Sequence, residues 1–443
     1  MTGHAQDLTR RYASALRRIG SLTNLRRLVG LPADRDITPR QWEVIDAQLA
    51  TAAERLSARV KAAGRAYLPT AHEPASARRM NAMLGELELD LAETFGFFDA
   101  CMDVLTQRHA PNLGPLLAGC DALARESLHK PHAALRIVEP PLVYCDRGFG
   151  ASTLREGVRL RHGIPNPLPL VQIPYSRLVE KCTLTSILHE VGHEVLVRLG
   201  LVAVLPVAVR AALTHARAPR QVCDYFPLWT SEIGPDFWTF CDAGLASAAA
   251  IQDILALRPD DVLRVSGTDP HPPPYLRVLL VFEWCRQAWG RGPWDAWEAR
   301  WRELYDPADA TPSARLLLHA ALPYLPVVAR TFFTTRFRVL EGRRLPDLFA
   351  LDALAPARLA PLVERREGDA FRALPAAAQL AVFRLASEQG LPDTRLDAEM
   401  TAWLVALGRP ADALPTASLT TPRRRQPPPL VVQAQDRRGA GLH

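Results

Sequence analysis

The sequence predicts an α+β protein that is mostly helical, with a small sheet placed ahead of one chemically loaded helix and helical regions on either side. Three observations predict this. Apolar residues recur at steps of three and four over most of the chain. The period breaks once, between about 133 and 173, into short Val, Ile and Leu-rich runs bounded by Pro and Gly. It then resumes with two histidines and a glutamate set into an otherwise apolar helix.

The first 132 residues read as a helical region. Leu8, Tyr12, Leu16, Ile19, Leu22 and Leu25 give one apolar face over 5–28, with arginines on the outside. Further helical patterns follow at about 40–63, 76–109 and 113–128. Segments 133–138, 142–145, 156–160 and 168–173 read as strands. From about 183 the helical period returns, with breaks at Pro219, 266–274, 290–293 and 306–312. The chain is thus read as an N-terminal helical region (1–132), a catalytic-type region (133–300), a C-terminal helical region (301–410) and a Pro/Arg-rich tail (411–443) with little to bury.

Composition narrows the class. With 48% hydrophobic and 23% charged residues over 443 positions, the chain is globular, which excludes a disordered, collagenous or coiled-coil protein. Residues 422–443 hold five arginines and one aspartate, so the tail supplies most of the formal net charge of +6. The body is close to neutral, and a nucleic-acid partner is not expected; the tail is left as a segment that can dock a protein partner. Seven widely spaced cysteines without a C-x-x-C argue against disulfides and a cysteine-held zinc. The arginine-rich N-terminus lacks the apolar stretch of a signal peptide, and the uncharged run 162–176 carries four prolines. A cytoplasmic protein without a membrane-spanning helix is the expectation, with its oligomeric state open.

Residues 183–199 read TLTSILHEVGHEVLVRL. Leu184, Ile187, Leu188, Val191, Val195 and Leu199 form one apolar face, and Gly200 is a natural stop. His189 and His193 are four apart, so their imidazoles lie one above the other and can reach the same metal ion. Glu190 projects beside them, where a carboxylate can take a proton from water held by the ion. A zinc ion on two histidines needs a third ligand and an open position. A third histidine six residues on would make one type of site, but that residue is Leu199. Glu232 and Asp236, again four apart, offer the other solution, a glutamate on a later helix.

With this H-E-x-x-H and E-x-x-x-D pairing the chain resembles the gluzincin zinc peptidases. The resemblance implies His189, His193 and Glu232 as zinc ligands, Asp236 as the partner of the outer nitrogen of His189, and Glu190 as general base. Residues 269–277, DPHPPPYLR, place His271-Pro272 and Arg277 as a similar element stands in the HtpX-like and CAAX-prenyl-protease-type peptidases. By that likeness His271 stabilises the oxyanion, with Tyr275 and Arg277 as further candidates. It also implies an edge strand at 168–173 that pairs with an extended peptide or protein substrate. The likeness covers about 168–285. The chain departs from it at Gly234-Pro235, where proline removes a helical hydrogen bond and is expected to kink the helix. Two other readings stand beside the peptidase: a non-catalytic zinc-containing scaffold, and a zinc hydrolase of a non-peptide substrate.

Overall fold

The computed structural model describes residues 3–24, 27, 39–148, 150–154, 166, 169–366 and 368–409. Helices of eight residues or more are numbered here. The N-terminal region is α1 (Gly3–Ser21), α2 (Pro39–Tyr67) and α3 (Pro74–Gln107), followed by α4 (Leu113–Leu128). Pro39 and Pro74 open α2 and α3, where a missing N–H costs nothing. The first helix stops at Ser21 and tightens into a 3-10 turn at Leu22–Asn24; of the expected stretch to 28, residues 25, 26 and 28 lie outside the described residues. Leu8, Ile19, Leu49, Leu56, Leu84 and Leu91 bury the facing stripes of α1, α2 and α3.

Among the described residues the sheet has three strands, β1 (Leu142–Asp146), β2 (Ser152–Leu154) and β3 (Leu170–Pro174), in the order β1-β3-β2. β1 pairs with β3 in parallel and β2 pairs with β3 antiparallel. Two strand expectations change. Segment 133–138 is not a strand: Ala133–Arg136 forms a single helical turn, because the His132 Nδ1 accepts the Ala134 N–H and caps it. Segment 156–160 lies outside the described residues. Segment 168–173 becomes β3, the central strand rather than an edge. Its prolines do not prevent this, since Pro169 precedes the strand and still accepts from the Leu142 N–H, while Pro174 is its last residue.

The remaining helices are α5 (Thr185–Arg198), α6 (Leu201–His215), α7 (Arg220–Ala243), α8 (Leu245–Leu255), α9 (Pro274–Trp289), α10 (Pro293–Leu304), α11 (Pro312–Ala321), α12 (Leu325–Thr334), α13 (Pro356–Val363), α14 (Ala376–Glu388) and α15 (Asp393–Leu407). Between α12 and α13 the chain runs through short 3-10 turns and a bridge between Arg336 and Arg344, a departure from the helical period expected there. Gly200, at φ 66°, ends α5 in the left-handed conformation, as its position predicts.

There are two apolar cores among the described residues, the smaller gathering Ala5 to Leu105 together with Leu142 and Leu170 of the sheet. The larger runs from Leu117 to Leu404 and continues through Trp294, Trp297 and Trp301 across residue 300. The buried Arg108–Asp121 pair joins α3 and α4 to β1: Arg108 Nη2 donates to the Val143 carbonyl at 2.8 Å, and Asp121 accepts the Val143 N–H at 2.7 Å. Residues Pro312–Thr334 are long and apolar enough to cross a membrane by composition, with mean hydropathy 1.4, whereas no such helix was expected. The stretch is α11 and α12 joined by a 3-10 turn; 39% of it is buried, with Leu318, Val328 and Phe332 in the larger core. The 411–443 tail lies outside the described residues.

Candidate metal centre

Helix α5 buries Ile187, Leu188, Val191 and Val195 against the core, which turns His189 and His193 toward α7. The two rings stand nearly perpendicular, at 87° and 4.8 Å between centroids. One nitrogen from each, together with a Glu190 carboxylate oxygen, lies within 4.8 Å of the others, a group that could hold a metal ion. Glu232 on α7 meets the same point from the opposite side. Its Oε2 is 3.4 Å from His189 Nε2 and 3.7 Å from His193 Nε2. Four ligands around an ion at bonds of about 2.1 Å sit about 3.4 Å apart along the edges of a tetrahedron. Glu232 Oε2 thus stands at about that spacing from each imidazole Nε2.

Asp236, one turn beyond Glu232, backs the centre. Its Oδ1 lies 2.8 Å from His189 Nδ1, so that the neutral ring, the form that binds a metal, carries its proton on Nδ1 and turns the Nε2 lone pair inward. Arg277 on α9 grips the same carboxylate side-on, Nε to Oδ2 at 2.6 Å and Nη2 to Oδ1 at 2.8 Å. α7 runs helical through Pro235, and Asp236 keeps its contact with His189. The Pro235 carbonyl is still used there, accepting the Thr239 hydroxyl at 2.9 Å.

Electrostatics follow from burial and this chain of contacts. Burial works against the Glu232 carboxylate, but His189, then His193 and Arg277, outweigh it and hold its pKa at about 2. For Asp236, burial is likewise outweighed by Arg277 and His189, and the group sits well below the usual carboxylate range. Burial disfavours the His189 imidazolium, yet Asp236 and then Glu232 raise it to about 9. Glu190 goes the other way. Burial raises its pKa, opposed by the charge of His189 and reinforced by that of Glu232. Its backbone carbonyl accepts the Thr153 hydroxyl of β2 at 3.3 Å.

The three residues read from the D-P-H-P-P-P-Y-L-R element end up in different places. His271, half exposed, brings Nε2 to 3.4 Å from Glu232 Oε2 and lines the cleft. Arg277 reaches the centre through Asp236. Tyr275 is 1% exposed and is not among the cleft-lining residues; burial pushes its phenol up, and its neighbour is Arg302. Residues two apart on a helix point some 200° apart, so Tyr275 and Arg277 cannot face one site.

Sequence reasoning missed Asp269. It accepts the His271 backbone N–H at 3.0 Å and lies 2.7 Å from the ring Nδ1, so it holds the imidazole with Nε2 toward the cleft. The signal was present as Asp-Pro-His, since an Asp side chain commonly accepts the N–H two residues on. Also missed were the cleft walls: Gly150–Thr153, Arg177, Thr185 and Ser186, and Ile251, Ile254, Leu255 and Leu257 around a volume of about 610 Å³. No protein-family model, curated protein or solved structure matches the chain.

Proposed function

We propose that the protein is a zinc-dependent peptidase of the gluzincin kind. The observation that carries this reading is the approach of Glu232 Oε2 to both His189 Nε2 and His193 Nε2 at about tetrahedral-edge distance, with Asp236 on His189 Nδ1. Two histidines and a carboxylate with an open position suit zinc, which when bound supplies an acidic water and a Lewis acid for a carbonyl. Glu190 takes the proton from the attacking water at its carboxylate and passes it to the leaving amine nitrogen. Its raised pKa, set by burial, suits a group that must both accept and release a proton. His271, held by Asp269, donates from Nε2 to the developing oxyanion. Arg277 and Asp236 position His189 rather than meet the substrate.

The substrate reading also changes strand. With β3 central, the strand that can pair with an extended peptide is β2, whose residues Ser152 and Thr153 line the cleft. The test is metal analysis of purified protein beside Glu190→Gln and His193→Ala, with each assayed on a peptide library. One zinc per chain is expected in the wild type and Glu190→Gln and none in His193→Ala, with hydrolysis lowered at least a hundredfold in Glu190→Gln. Zinc retained in His193→Ala sinks the ligand set, and zinc without any cleavage by the wild type sinks the peptidase.

A further inference from the structure

Two polar groups in the cleft lack partners. The Arg177 Nε and the Ser186 hydroxyl are buried atoms without a hydrogen bond, and both side chains line the same cleft as His189, Glu190, His193 and Glu232. Among the described residues Arg177 makes no ion pair. Burial alone acts on its guanidinium, and lowers its pKa with no carboxylate to oppose it. Other buried arginines here are matched: Arg277 with Asp236, Arg108 with Asp121, Arg384 with Asp253. A guanidinium drawn partly out of water in the same cleft as an unmatched hydroxyl is costly, and a bound anion removes the cost. The cleft also has an apolar wall, Ile251, Ile254 and Leu255 on α8 with Leu257 just beyond.

We propose that Arg177, with Ser186, binds a carboxylate of the substrate, and that Ile251, Ile254 and Leu255 receive an apolar side chain next to it. The planar fork of arginine matches a carboxylate with two parallel hydrogen bonds, and Ser186 adds a third donor. That the ligand is a peptide rests on the peptidase reading; the anion site rests on Arg177 and Ser186. The carboxylate comes from an acidic side chain or from a free C-terminus, which share this chemistry.

The experiment uses zinc-loaded full-length protein and three peptide series of otherwise equal, apolar-rich sequence: internal Glu with an amidated end, neutral with a free C-terminus, and neutral with an amidated end. The wild type is expected to favour one of the first two, and which one identifies the source. Arg177→Gln should raise KM for that series about tenfold or more with little change in kcat, and leave the neutral amidated series unchanged. Arg177→Lys should recover part of the loss, since it keeps the charge without the fork. Arg177→Gln should melt no lower than the wild type, because the lost charge had no partner. Equal cleavage of all three series, or a preference that survives Arg177→Gln, overturns the proposal while the peptidase stands. If the wild type cleaves nothing, the peptidase reading falls by itself. The anion site is then judged by calorimetric titration of the same peptides into Glu190→Gln with and without Arg177→Gln. Carboxylate binding that depends on Arg177 upholds the site; binding that is absent or indifferent to Arg177 overturns it.

Discussion

Gly192 lies so close to Pro235 that a methyl group on it would stand 2.8 Å from the Pro235 Cα and 3.2 Å from its carbonyl oxygen. Gly192 is one of the two residues between Glu190 and His193, and Pro235 lies between Glu232 and Asp236. The backbone contact is therefore what draws the histidine helix and the carboxylate helix together. Gly192→Ala should lose about 1–3 kcal/mol of stability by overpacking. Because the contact lies inside the centre, zinc affinity should fall as well, by tenfold or more. Isothermal titration with zinc beside a denaturant melt checks both, and unchanged zinc affinity would contradict this role for the crossing.

Arg277 is matched to a carboxylate that is almost wholly buried. Arg277→Met leaves Asp236 with His189 alone and should cost about 3–5 kcal/mol, the usual result of breaking a buried pair from one side. Adding Asp236→Asn should recover part of that stability without recovering zinc affinity, which depends on the Asp236–His189 contact. A double-mutant cycle on the melting temperature, run with zinc titrations, separates the two effects.

On the proposed ligand set zinc would join α5 to α7, and the unfolded chain cannot present the same site. Free zinc at a thousandfold excess over its Kd should stabilise the fold by about 4 kcal/mol. A chelator should lower the melting temperature of the wild type and leave that of His193→Ala where it was. Equal chelator shifts in both proteins would place the metal elsewhere.

On the proposed mechanism Asp269 acts through His271, which it holds by its backbone N–H and ring Nδ1. Asp269→Asn should retain one zinc per chain, lower kcat for peptide hydrolysis about tenfold and leave KM nearly unchanged. Against a His271→Ala background the same change should add little, since both remove one function. A full additional tenfold loss in the double variant would separate the two residues.

Much of this protein was legible in its sequence because the information was local. The four-residue spacing of His189 with His193 and of Glu232 with Asp236 is set by helix geometry alone, and α5, its apolar face and its Gly200 stop follow from residues within a few turns. What lay between elements was not legible. The sequence could not say that β3 is flanked on both sides, because pairing depends on segments distant in the chain. It misread 133–138 because Ala-Ala-Leu-Arg-Ile-Val suits either state until the His132 cap decides it. Pro235 was read as a threat to Asp236, whereas packing against Gly192 holds Asp236 on His189. Local periodicity thus determined which residues could bind a metal. Only tertiary packing decided that Arg277 supports the centre from behind, that Tyr275 is buried away from it, and that Arg177 waits in the cleft without a partner, because desolvation and ion pairing exist only where the whole chain has closed.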